Sequence, residues 1–105
     1  MANAFKNKTQ RQIGTSLTVI ESYTVPGATE TTIIGLTIAN TSAALIEVDA
    51  TLNDGSNDFY MVKAAPVPVG SSLVVIGGDQ KVVLMPGDSV KIRSNTATSA
   101  DAVMS

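Results

Sequence analysis

Hydrophobic and polar residues alternate along most of this chain, in short runs cut by glycine, proline, asparagine and aspartate. This is the pattern of half-buried β-strands, whose successive side chains point to opposite faces. The first run covers residues 17–25 and puts Leu17, Val19, Tyr23 and Val25 on one face. Glu21 falls on that same face, which predicts a bulge or an edge position there. Pro26-Gly27 then turns the chain. Residues 31–40 form the clearest run, with Ile34, Leu36 and Ile38 on one side and Ile33, Gly35 and Thr37 on the other. After Asn40-Thr41-Ser42 comes a run over 45–52, with Ile46, Val48, Ala50 and Leu52 inward and Glu47, Asp49 and Thr51 outward. The short polar link between these two runs predicts a β-hairpin.

Residues 53–58 form a turn-rich loop, and extended structure resumes over 59–63. The stretch 64–70 holds Pro66 and Pro68, which lack the N–H that a central strand must donate. It reads as an extended connection that crosses from one sheet to the other. The last third repeats the rhythm: a strand over 73–76, a turn over 77–80, a strand over 81–85, and a turn at Pro86-Gly87. There the proline pre-sets φ and the glycine supplies positive φ, as a type II turn requires. Residues 89–93 alternate cleanly, with Val90 and Ile92 in and Lys91 and Arg93 out. A polar loop over 94–99 leads to a final strand over 102–104 that stops at Ser105. An unfinished strand predicts an unpaired edge, and edges are where another chain can add. No stretch shows helical periodicity. About eight strands at this cadence predict an all-β fold, an antiparallel β-sandwich with Greek-key or jelly-roll-like connections.

Composition refines the picture. The chain has 105 residues, the size of one domain, and 44% are hydrophobic but only 4% aromatic, so the core must be aliphatic. Charged residues make up 15%, against about 25% in ordinary soluble domains. A surface with few charges costs little to desolvate against another protein. The charges are also unevenly placed. Lys6, Lys8 and Arg11 sit in the first eleven residues without an acid, while the other four bases face all nine acids. The expected organisation is a basic N-terminal arm over 1–13 followed by a single sandwich domain over 14–105. Two readings of the arm stay open: a solvated terminus, and a segment that docks on a neighbouring subunit through Phe5, Lys6, Lys8 and Arg11. Three bases without interleaved aromatic rings do not suggest nucleic acid.

The tools of catalysis are scarce. Without histidine there is no neutral-pH proton shuttle and no Ser–His–Asp arrangement, and without cysteine there is no thiolate nucleophile, thiolate metal site or disulfide. Glu47 and Asp49 share a strand face, but alternation puts them on the solvent side of the run. Residues 53–58 offer Asn53, Asp54, Asn57 and Asp58 as oxygen ligands around Gly55, yet lack EF-hand spacing and its closing glutamate. A plain hairpin turn explains them better. No catalytic residue, cofactor or metal is therefore expected. No apolar run approaches the length of a membrane span, and the start has no secretory-type apolar segment. Synthesis in a cytosol is the simplest expectation, compatible with later release in a particle.

Two blocks carry a family resemblance. Tyr23-Thr24-Val25-Pro26 followed by residues 31–41, and Pro66-Val67-Pro68-Val69-Gly70 through Val75 followed by residues 81–88, resemble small virion structural proteins of tailed phages, especially those of cyanobacteria and other aquatic hosts. The resemblance implies a non-enzymatic part of a phage particle. Within it, a head decoration (cement) protein is favoured, bound outside the capsid across joints between major capsid subunits, as a trimer at threefold positions. The rivals are a neck, tail or fibre-attachment component and, from another class, a host-surface or carbohydrate-binding β-sandwich. The last is disfavoured because only Phe5, Tyr23, Phe59 and Tyr60 could stack on a sugar. Chains of that family usually continue a few residues further and complete the final strand, so the resemblance implies that Ser105 is a truncated end.

Overall fold

The alternating runs fold as antiparallel strands. A computed structural model describes residues 7–28, 30–77 and 81–105, and ten strands lie among them. They are β1 (Lys8–Ile13), β2 (Thr18–Thr24), β3 (Thr31–Ile33), β4 (Leu36–Asn40), β5 (Ile46–Asn53), β6 (Asp58–Val67), β7 (Ser72–Ile76), β8 (Val82–Leu84), β9 (Ser89–Ser94) and β10 (Ala100–Met104). The first sheet has the order β1-β10-β4-β7, the second β2-β9-β5-β6, and β3 and β8 form a separate two-stranded ribbon.

One rule underlies the pairing. β1 pairs with β10, β2 with β9, β3 with β8, β4 with β7, and β5 with β6. The chain is one long antiparallel ribbon folded back at the β5–β6 turn. Rolling the ribbon brings β10 against β4 and β9 against β5, which completes the two sheets. This is the jelly-roll form of the expected sandwich.

The core is aliphatic, as the composition requires. Ile13, Ile20, Leu36, Ile38, Ile46, Val48, Val67, Val90, Ile92 and Met104 are among the residues that fill it. The burial patterns of β4 and β10 alternate regularly, so each strand gives one face to the core. Every buried side-chain nitrogen or oxygen among the described residues has a hydrogen-bond partner.

Besides Thr51, expected outward but fully buried where the β5–β6 register shifts, the structure departs from the sequence pattern in five places. The run over 31–40 is split, because the Ile34 and Gly35 N–H groups both donate to the Ser105 carbonyl, at 2.8 and 3.2 Å. The break shifts the alternation, so Ile33, Leu36 and Ile38 are buried while Ile34 is exposed. Next, β4 and β5 do not form a hairpin; they lie in different sheets. Asn40 builds the corner between them. Its Nδ2 donates to the carbonyls of Ala44 and Val67, both at 2.8 Å, and its Oδ1 accepts from the N–H of Ser42 at 2.8 Å. Third, β6 runs on through Pro66 to Val67. It is an end strand, where a missing N–H is tolerated. The crossing to the first sheet follows at Pro68–Ser71, a turn closed by the Ser71 N–H on the Pro68 carbonyl with Gly70 at φ 75°.

Fourth, the expected arm over 1–13 is a strand from Lys8 onwards, with Ile13 in the core. Its charges concealed the alternation, because a strand at the edge of a sheet tolerates them. Finally, the C-terminal strand has no open edge. β10 lies between β1 and β4, and Ser105 extends it by donating its N–H to the Gly35 carbonyl at 2.9 Å.

Two local expectations hold, the irregularity at Glu21 and the turn at Pro86-Gly87. A register shift and a φ of 49° at Glu21 mark a bulge in β2, which is an end strand. The bulge makes Ile20, rather than Val19, the buried residue before it. Gly87 has φ 88° in a turn closed by the Asp88 N–H on the Met85 carbonyl, as a type II turn demands. No helix among the described residues is long and apolar enough to cross a membrane.

Candidate interaction surfaces

Two of the four residues expected to contact a partner are described. Phe5 and Lys6 lie outside the described residues, as do residues 78–80 of the expected turn over 77–80. Lys8 and Arg11 lie on β1, the end strand of the first sheet. The two part company there. Lys8 turns to the seam where β1 meets β2: its Nζ lies 3.2 Å from Glu21 Oε2 and 5.2 Å from the centroid of the Tyr23 ring. Arg11 stays exposed, beside Asp101 and Val103 on the wall of an open groove of about 410 Å³.

The seam is also bridged from side chain to backbone. Glu21 Oε1 accepts the N–H of Thr9 at 3.2 Å, and Gln10 Oε1 accepts the N–H of Glu21 at 3.0 Å. The Thr9 N–H, followed by Lys8, holds the Glu21 carboxyl below its ordinary value of 4.5. These bonds tie the end strand of one sheet to the end strand of the other. Lys8 and Glu21 thus have structural duties that account for their presence.

The outer face of the first sheet is different in character. Thr9 lies opposite Val103, Val103 opposite Thr37, and Thr37 opposite Val74. These four residues make one uncharged row across all four strands. Val103 is 50% and Val74 63% exposed. Ala39 and Ser72 stand opposite each other in the next row. Charge enters this face at Asp101, whose Oδ1 accepts the N–H of Gln12 at 2.9 Å, and at the neighbouring Arg11.

The outer face of the second sheet carries a polar network. Asp49 lies opposite Arg93, and its Oδ2 receives Arg93 Nε at 3.0 Å and Nη2 at 2.6 Å. Its Oδ1 accepts the Ala64 N–H at 2.7 Å. Partial burial pushes the Asp49 carboxyl up, but the Ala64 N–H and the Arg93 guanidinium outweigh it and hold the group below its ordinary 3.8. The Asp49 contact in turn raises Arg93. Arg93 also donates to the Tyr60 hydroxyl at 3.2 Å, and Lys63 Nζ sits 5.0 Å from the Tyr60 ring centroid. Alternation correctly turned Asp49 and Arg93 outward. What it could not reveal is that they face each other, since their strands are distant in sequence.

The candidate calcium loop is a hairpin turn. Asp54 Oδ1 accepts the N–H groups of Ser56 and Asn57 at 3.0 and 2.8 Å, and these bonds hold its carboxyl low. Asn53 Oδ1 accepts the N–H of Gly55, and Asn53 Nδ2 donates to Asp58. The oxygens thus serve the turn's own backbone. Among the described residues, no three His, Cys, Asp or Glu side chains gather in a way that could hold a metal ion. No protein-family model, curated protein or solved structure matches the chain.

Proposed function

We propose that this chain is a non-enzymatic structural protein of a tailed-phage particle, and within that class a head decoration protein. It binds the outside of the capsid and bridges joints between major capsid subunits. The observation that carries the reading is the uncharged row from Thr9 to Val74 on the outer face of the first sheet. Such a face presses against another protein at little desolvation cost. The family resemblance of the two sequence blocks points the same way. The jelly roll is an architecture of viral capsid and lectin domains, which is support by analogy. Among the described residues every buried polar side-chain atom is paired, which favours a rigid body suited to resist outward pressure from packed DNA.

The test is binding of the purified chain to expanded, empty phage heads. Many copies per particle, spread over the shell, are expected. A count of about six or twelve, as in a ring at one vertex, places the protein in a neck or tail and overturns the decoration reading. No binding to any phage particle overturns the class. Charging the row with Val103→Glu should weaken binding to heads while leaving the fold intact, because Val103 is half exposed.

A further inference from the structure

The two sheets have four end strands, and three of them are guarded. β1 is tied to Glu21 through the Thr9 N–H and Lys8. β2 carries the Glu21 bulge, and its Glu21 N–H is capped by Gln10. β6 carries Lys63, Pro66 and a kink at Ala64, where φ is 53°. Charges, prolines and bulges are the usual means of blocking edge-to-edge pairing. The two strands of the small ribbon are only three residues long. β7 differs from all of these. Its sequence Ser72-Leu73-Val74-Val75-Ile76 has no charge, no proline and no positive φ, and Val74 is the most exposed large apolar residue described. Its one irregularity is a register shift that leaves Val75 as an extra residue, beyond the regular part.

The direction of the open side follows from one bond. The Ser71 carbonyl accepts the Asn40 N–H at 3.0 Å, so Ser71 faces β4. Backbone groups alternate along a strand, so Leu73 also faces β4, while Ser72 and Val74 turn their N–H and C=O groups to the open side.

We infer that this edge pairs with the same edge of a second copy of the chain, antiparallel about a two-fold axis at Leu73. Ser72 of each copy exchanges both backbone hydrogen bonds with Val74 of the other. The occupant is chosen by charge and by continuity. Neither copy's β7 brings a charge to the junction, and an isologous contact needs a self-complementary patch, which an uncharged strand supplies. On the outer side the row Thr9-Val103-Thr37-Val74 of each copy runs on into Ser72 and Ala39 of the other, and half-buried Leu73 meets its counterpart on the inner side. The result is one continuous eight-stranded sheet across two jelly rolls. This inference stands apart from the decoration reading, since it concerns the chain with itself.

The full chain should show twice its 10.8 kDa mass by light scattering. Val74→Pro removes a donor on the open side without removing a bond to β4, and should give a folded monomer. The register is tested by charge. Ser72→Glu with Val74→Glu sets like charges opposite each other twice and should be monomeric. Ser72→Lys with Val74→Glu sets opposite charges there and should remain a dimer. Circular dichroism confirms that each variant folds. A wild-type monomer or trimer at millimolar concentration overturns the inference, as does a Val74→Pro dimer or identical behaviour of the two charged pairs. Head binding by a chain that is monomeric in solution refutes this inference alone and leaves the decoration reading standing.

Discussion

The Gln10 side chain accepts the backbone N–H of Glu21 at 3.0 Å, and thereby joins the end strand of one sheet to the end strand of the other. Glu21 returns the bond through its own carboxylate on the N–H of Thr9. Glu21 is held at φ 49°, where a side chain is strained and glycine is not. Glu21→Ala and Glu21→Gly both lose the carboxylate, but only glycine relieves the backbone. The expected order of melting temperature places Glu21→Gly above Glu21→Ala. Amide exchange at Thr9 should be faster than wild type in both, and an unchanged Thr9 rate argues against the seam.

Acid should reveal the Asp49–Arg93 network. The Asp49 carboxyl is depressed in the folded state below its ordinary 3.8, so its contribution is present above that pH. It is lost as pH falls through the lower, folded value. Asp49→Asn leaves the Arg93 guanidinium and the Ala64 N–H poorly matched and should cost about 1–3 kcal/mol at neutral pH. The difference between variant and wild type should shrink below pH 3.8. Urea unfolding across this range measures it, and a difference independent of pH would sink the assignment.

The corner at Asn40 depends on an amide that donates and accepts at once. The side chain is buried at 7% exposure. Asn40→Ala takes one donor from each of the Ala44 and Val67 carbonyls and the side-chain acceptor from the Ser42 N–H, and should cost about 1–3 kcal/mol. Asn40→Asp replaces the donor by an oxygen facing two carbonyls, so its charged form is disfavoured and its folded pKa rises. That variant gains stability relative to wild type as pH falls through the raised pKa, opposite in sign to the Asp49 effect. Chemical unfolding of Asn40→Asp at neutral and acidic pH tests the prediction.

Within β6, adjacent alanines should respond oppositely to glycine. Ala64 sits at φ 53°, whereas Ala65 has no such strain and pairs regularly with Val48. Ala64→Gly exchanges relief of about 1–2 kcal/mol for an entropy loss of about 0.5–1 kcal/mol, a net gain of up to roughly 1.5 kcal/mol. Ala65→Gly has only the loss. Equal effects of the two substitutions on urea midpoints would contradict the kink.

Truncation separates the arm from the strand it leads into. Removing residues through Arg11 takes most of β1 and uncovers one side of β10, so it should lower the melting temperature sharply. A truncation ending at Lys6 keeps β1 whole and should unfold at a higher temperature than the longer deletion. Equal melting temperatures for the two would show that β1 adds nothing to the sheet.

The sequence by itself determined what depends on near neighbours. Alternation located most strands, because side-chain direction repeats every two residues whatever the partner. Gly87 and Asp54 announced their turns, because φ and a side chain reaching two residues ahead are local properties. The absence of aromatic bulk dictated an aliphatic core. Tertiary structure decided what depends on pairing across the chain. Lys8 and Arg11 look alike in a charge pattern, yet one closes a seam and the other stays exposed, since only the placement of β2 beside β1 distinguishes them. Asn40 reads as an ordinary turn residue until β4 and β5 separate into different sheets. The C-terminal strand ends the chain but not the sheet, because rolling the ribbon seats β10 between β1 and β4. The same rolling leaves β7 at an edge without a guard among the described residues. An edge is a relation between strands far apart in sequence, and no local pattern can encode it.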